Sequence, residues 1–180
     1  MNKGKIILDL CGGTGAWSKP YRDAGYDVRV ITFPQDVRLE KLPKDVYGIL
    51  AAPPCTHFSG SGARWWKGKG TSALLEALSV ADACIRIIHF SNPTFWALEN
   101  PVGRLKDYFG KPSMYFNPCD FGDPYTKKTA LWGKFNTLKK NPVEPTEGSK
   151  LHLLPPSPER AALRSITPAG FAEAFFKANQ

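Results

Sequence analysis

The sequence has little that could hold a metal and no segment suited to crossing a membrane. It contains three histidines and four cysteines, and the cysteines, at 11, 55, 84 and 119, are too dispersed to form a Cys-x-x-Cys knuckle or redox pair. No metal is therefore expected. No apolar run approaches the roughly 20 residues of a membrane helix, and the first lysines lead straight into a strand-like segment with no cleavable apolar region. These features predict a cytoplasmic protein with reduced thiols and no membrane partner. Internal repeats are absent. Acidic residues are in deficit, 16 against 24 Lys and Arg, for a net charge of +8. That excess favours an anionic partner, because basic side chains release counterions from a phosphate backbone.

At 180 residues and 42% hydrophobic, the chain has the size of one globular domain. Strand and helix signals alternate, which predicts an α/β fold: a mostly parallel sheet with helices on both faces. Lys5 to Leu10 reads as a buried strand, Ala16 to Ala24 as a helix, Asp27 to Thr32 as a second strand and Tyr47 to Ala52 as a third. Glycines and polar residues from Ser59 to Thr71 predict a mobile loop. Apolar residues at 74, 75, 78, 81, 84, 85 and 88 then fall on one face of a helix over Ser72 to Phe90. A further strand, Phe95 to Leu98, runs into Glu99-Asn100-Pro101. Met114 to Phe116 and Lys128 to Phe135 predict an antiparallel C-terminal hairpin around Phe121-Gly122-Asp123-Pro124. Residues 136–160 are proline-rich and read as an extended surface segment. Thr167-Pro168 marks the start of a last amphipathic helix.

Three constellations carry chemistry. Asp9-Leu10-Cys11-Gly12-Gly13-Thr14-Gly15 follows the first strand, where glycines let the backbone pass close to a ligand. A dinucleotide fingerprint would continue with glycine at position 18, which is Ser18; a cofactor without pyrophosphate suits the turn better. Pro53-Pro54-Cys55 follows the third strand, at the sheet edge where α/β folds bind ligands. Glu99 stands at the end of the neighbouring strand. A thiol and a carboxyl so placed can attack a flat heterocycle and protonate it. Each feature also has a plain structural alternative: a tight turn without a ligand, a small inert buried thiol, and a surface carboxylate paired with a base.

Taken in order, these segments resemble the cytosine-5 DNA methyltransferases, particularly compact phage and prophage-type members. Leu8 to Gly15 resembles the cofactor motif, Asp36-Val37 the acidic pair that faces the adenine, Pro53 to Ser59 the nucleophile loop, and Glu99-Asn100-Pro101 the family's Glu-Asn-Val. The resemblance implies a Rossmann-like fold and S-adenosyl-L-methionine as cofactor. Its binding residues would be Asp9, Leu10, Cys11, Gly12, Gly13, Gly15, Thr32, Asp36, Val37, Pro53 and Thr167. It implies a phage or bacterial setting and methyl transfer to carbon 5 of cytosine in DNA. Cys55 would add to carbon 6 and Glu99 would hold or protonate ring nitrogen 3. The target base would be flipped out or single-stranded. Ser59, Arg64, Trp65, Lys67 and Lys128 would contact the DNA.

The chain departs from the family pattern in ways that bear on function. The Gln-x-Arg-x-Arg run corresponds to Tyr125-Thr126-Lys127-Lys128-Thr129, so Lys127 takes the place of the first arginine, with the charge but without the planar fork. Thr56 replaces the glutamine after the nucleophile, and Thr32 an acidic residue that holds the cofactor ribose. The segment 136–160 stands in place of a separate target-recognition domain. Sequence specificity is therefore expected to be short or poor, or supplied by a helper protein. Two other functions fit the same residues: modification of a free cytosine nucleotide, and non-catalytic binding of DNA or protein.

Overall fold

The computed structural model describes residues 2–180. Its strands are β1 (Ile6–Leu10), β2 (Asp27–Ile31), β3 (Val46–Ala51), β4 (Phe95–Pro101), β5 (Met114–Phe116) and β6 (Thr129–Lys134). They form one sheet in the order β2-β1-β3-β4-β6-β5. The first four are parallel, and β6 and β5 add to β4 as an antiparallel pair. Because β2 and β3 lie on opposite sides of β1, the strand order reverses there, and the crevice beyond the carboxyl ends of β1 and β3 is the expected ligand position of such a sheet. The fold is the α/β, Rossmann-like arrangement read from the sequence, including its antiparallel C-terminal hairpin.

Successive strand residues point to opposite faces, and both faces are covered. Leu8, Ile49 and Leu98 pack under helix α2 (Trp66–Ser91) with Cys84, Ile87 and Ile88. Ile7, Leu50 and Ala97 face the other layer, built from α1 (Lys19–Asp23) and the last helix, Ala169–Ala178. That layer is aromatic. Trp17 meets Phe171 and Phe175 at ring-centroid distances of 5.6 and 5.5 Å, and Phe116 stacks on Phe171 at 4.1 Å.

Three sequence expectations change. Ser59 to Thr71 is not an open loop: Gly60–Trp65 forms a 3-10 turn that runs into α2, with a break at Gly70, whose backbone is non-helical. Four glycines in eleven residues look like loop punctuation, yet three of them, Gly60, Gly62 and Gly68, lie in helical turns. The strand carrying Glu99 does not end before it. β3 pairs with β4 only as far as Ala51 with Leu98, whereas Glu99, Asn100 and Pro101 remain in strand because β6 pairs with them. A short helix, α3 (Lys106–Phe109), follows β4, and the proline-rich segment is largely irregular but includes a short helix, α4, at Lys150–Leu153. Between α4 and the last helix lies α5 (Arg160–Ser165).

Candidate active site

The glycine turn after β1 is held from below. Asp9 is fully buried, and its carboxylate accepts a 2.5 Å hydrogen bond from the Ser18 hydroxyl. A side chain at position 12 would collide with that carboxylate. Burial raises the Asp9 pKa to about 6 despite the Ser18 bond and the nearby Arg22 charge. Asp9 thus shapes the turn from beneath, and Ser18, the residue that replaces a fingerprint glycine, is its partner. Gly13 and Gly15 have φ of 55° and 69°, the left-handed region suited to glycine, and Cys11 shares it at 56°. Above Gly13 the space is open: the nearest atom to a side chain there would be Ser165 Oγ, 3.9 Å away.

Beyond β2, Thr32 is half-buried and Phe33 is 92% exposed. An exposed ring at this edge can stack on a heterocycle; the sequence reading passed over it. Val37 is buried in the core. Asp36 is engaged by its neighbour: its carboxylate takes the backbone N–H and the guanidinium of Arg38, which also donates to Glu76 and Ser79 of α2. These bonds hold the Asp36 pKa below the usual carboxylate range.

Cys55 lies in a turn beyond β3, where its carbonyl accepts N–H bonds of 2.9 Å from both Phe58 and Ser59. Asn100 donates to the carbonyl of buried Pro53 at 2.9 Å, tying the two strand ends together. Glu99, with its side chain 17% exposed, lies 3.9 Å from the Lys127 ammonium. Burial raises the Glu99 pKa, against the opposing Lys127 charge. The Cys55 thiol is also pushed up, first by burial and then by the Glu99 charge, with Lys127 and Arg164 acting in the opposite direction. Lys127 further donates to the Arg164 carbonyl at 3.2 Å. Glu99 and Lys127, with Phe116, Thr167, Pro168 and Phe171, line a narrow cleft. A larger, more open hollow lies against Tyr47, Thr94 and Phe135. It is at the other end of the sheet and is lined by no cysteine, aspartate or glutamate side chain.

The candidate catalytic residues Cys55, Glu99 and Lys127 are therefore brought together, and Arg164 joins them from α5. Arg164 belongs to the Arg164-Ser165-Ile166-Thr167-Pro168 run, which resembles the motif that closes the cofactor pocket; nothing in the sequence ties it to Cys55. Trp65, at 59% exposed, and Arg64, Lys67 and Lys128 project into solvent, and Ser59 Oγ sits 2.9 Å from Ser61 Oγ. Trp66 differs from Trp65, since it packs against Arg104. Among the described residues no His, Cys, Asp or Glu group is arranged to hold a metal, and no helix is long and apolar enough to cross a membrane.

No protein-family profile matches the chain. It is 28% identical over 149 residues to a frog virus 3 (isolate Goorha) protein described as a DNA (cytosine-5)-methyltransferase, covering 70% of this chain and 69% of the viral one. It is 26% identical to the type II methyltransferase M.DdeI of Desulfomicrobium norvegicum, covering 70% of this chain but 39% of that protein. Among solved structures, a prophage-encoded E. coli protein described as a DNA modification methyltransferase aligns with a TM-score of 0.47 and 19% identity, over 72% of this chain and 46% of that one. The resemblance to cytosine-5 DNA methyltransferases that its motifs carry is thus matched by overall sequence similarity across about 70% of the chain.

Proposed function

We propose that this protein transfers a methyl group from S-adenosyl-L-methionine to carbon 5 of cytosine in DNA. The observation that carries the reading is the grouping of Cys55, Glu99 and Lys127 at the carboxyl edge of the sheet, beside an open glycine turn. The turn fits the cofactor: the open face of Gly13 admits close backbone approach, Thr32 and Phe33 flank the same edge, and Thr167 lies by the reacting groups. When bound there, S-adenosylmethionine supplies an electrophilic methyl group.

The residues of the chain make the cytosine reactive. Cys55, on losing its proton, forms a bond to carbon 6, and the electron pair of the 5,6 double bond moves into the ring, making carbon 5 nucleophilic. Burial favours the protonated form of Glu99, and a proton shared between its carboxyl and ring nitrogen 3 offsets the charge as it develops. Lys127 balances the carboxylate after that proton leaves. Once carbon 5 carries the methyl group, loss of its proton restores the 5,6 double bond as the Cys55–carbon 6 bond breaks, returning the thiolate, and ring nitrogen 3 gives its proton back to Glu99. The raised thiol pKa means that Cys55 rests as a thiol, so attack is coupled to proton loss. Exposed Arg64, Trp65, Lys67 and Lys128 are suited to DNA backbone and base contacts.

The test is transfer of labelled methyl to mixed-sequence DNA and, in parallel, to free deoxycytidine nucleotides, with Cys55→Ser as control and nucleoside mass analysis as readout. We expect 5-methylcytosine in DNA that depends on Cys55 and falls steeply as salt rises. Label confined to nucleotides would replace this reading with modification of a free nucleotide. Label in neither would support the non-catalytic reading.

Lys127→Ala removes the counter-charge of Glu99. We expect kcat/KM for DNA to fall about tenfold, roughly 1.4 kcal/mol, the scale of a charge-assisted hydrogen bond. The pH at which Cys55 becomes reactive to iodoacetamide should rise, since Lys127 lowers the thiol pKa. An unchanged rate and an unchanged alkylation profile would remove Lys127 from the site.

A further inference from the structure

The turn carrying Cys55 and the strand carrying Glu99 are joined by a second set of contacts, beyond Asn100. Residues after each functional group zip together: Ser59 and Gly103 form an antiparallel bridge, Gly60 N–H donates to the Val102 carbonyl at 2.9 Å, and Arg104 N–H donates to the Phe58 carbonyl at 2.9 Å. Gly103 is required there, because a side chain would run into the Phe58 carbonyl. Val102 N–H in turn donates to the Lys128 carbonyl at 3.1 Å. The short segment 102–104 is therefore bonded both to the nucleophile turn and to the segment that carries Lys127, while following directly from Glu99.

Arg104 closes this junction. Its Nε donates to the His57 carbonyl at 2.7 Å, two residues after Cys55, and its guanidinium lies 4.3 Å over the Trp66 ring. No carboxylate among the described residues pairs with it. A partly buried guanidinium without an acidic partner is not explained by ion pairing. Its bonds are to a carbonyl of the nucleophile turn and to an aromatic face, which is the geometry of a clamp.

We propose that Arg104 is a positioning residue that fixes the Cys55 turn against the Glu99 strand, with Trp66 as its cover and Gly103 as the site of closest backbone approach. The proposal rests on the methyltransfer reading for its kinetic consequence, but the clamp can be read without methyl transfer. A misplacement of about 1 Å between reacting groups costs on the order of 100-fold in rate, so releasing one end of the clamp acts on turnover more than on substrate binding.

The experiment compares wild type, Arg104→Ala and Arg104→Lys by two measurements. One is the rate of Cys55 alkylation by iodoacetamide, followed by peptide mass analysis, with buried Cys84 as an internal control for global unfolding. The other is steady-state methylation of DNA. We expect Arg104→Ala to alkylate faster at Cys55 with Cys84 still protected, and to lose about 10- to 100-fold in kcat with little change in KM for S-adenosylmethionine. Arg104→Lys, which keeps one donor but cannot lie flat on Trp66, should fall between the two. Wild-type alkylation and kcat in folded Arg104→Ala would overturn the proposal. If Cys84 also becomes reactive in Arg104→Ala, the lysine variant decides: reduced kcat at constant KM supports the clamp, and wild-type kcat overturns it. Absence of methylation by the wild type would sink the proposed function, while a selective Cys55 alkylation response would still support the clamp.

Discussion

Replacing Glu99 by glutamine is expected to lower cytosine methylation roughly 100- to 10,000-fold, the span of a lost general acid, while leaving the fold and cofactor binding near those of the wild type. Glutamine keeps the shape and the pairing of β4 with β6 but has no proton to give at the pH where the enzyme works. A second consequence has a defined sign. The Glu99 charge helps to raise the Cys55 pKa, so its removal should shift the onset of Cys55 alkylation to lower pH. The variant should thus have a more reactive thiol and a far slower enzyme. An undiminished turnover would refute the acid role of Glu99; an alkylation onset that stayed in place would show that its charge does not reach the sulfur.

Asp9→Asn is expected to remove a pH dependence of stability from the protein. The Asp9 pKa is about 6 in the fold, against a reference value of 3.8. A carboxyl whose pKa is raised by folding binds its proton more tightly in the native state. Its favourable contribution is complete below the unfolded pKa and is lost as pH rises through the folded one. The shift corresponds to about 3 kcal/mol lost between roughly pH 4 and pH 6.5. Asparagine can still accept from Ser18 and has no charge to bury. Chemical denaturation of both proteins across that range should show the difference in unfolding free energy growing with pH in favour of the variant. Parallel curves would mean that Asp9 is better solvated than its burial implies.

Much of the fold was legible because its strands are short apolar runs at positions where the chain changes direction. Ile6–Leu10, Val46–Ala51 and Phe95 onward could be placed from sequence, and with them the glycine turn, Cys55 and Glu99. What was not legible depends on pairing at a distance. Glu99 stays in strand because of β6, which begins 30 residues later at Thr129. The turn Gly60–Trp65 is framed by two distant contacts, Ser59 with Gly103 before it and Trp66 with Arg104 after it. Asp9 looked like a ligand contact because it begins the glycine motif, yet its carboxylate is buried against Ser18. The Arg164 carbonyl accepts from Lys127, a contact between residues 37 apart that no local pattern announces.

The two faces of the sheet are completed at different points along the chain. The layer under α2 uses residues up to Trp132, whereas the aromatic layer needs Phe171, Ala172 and Phe175. On a ribosome the first layer can close while the second still has Trp17, Tyr21 and Phe95 uncovered, and those rings stay wet until the last helix leaves the exit tunnel. Nascent chains stalled before residue 171 should therefore be the species that chaperones and proteases recognise.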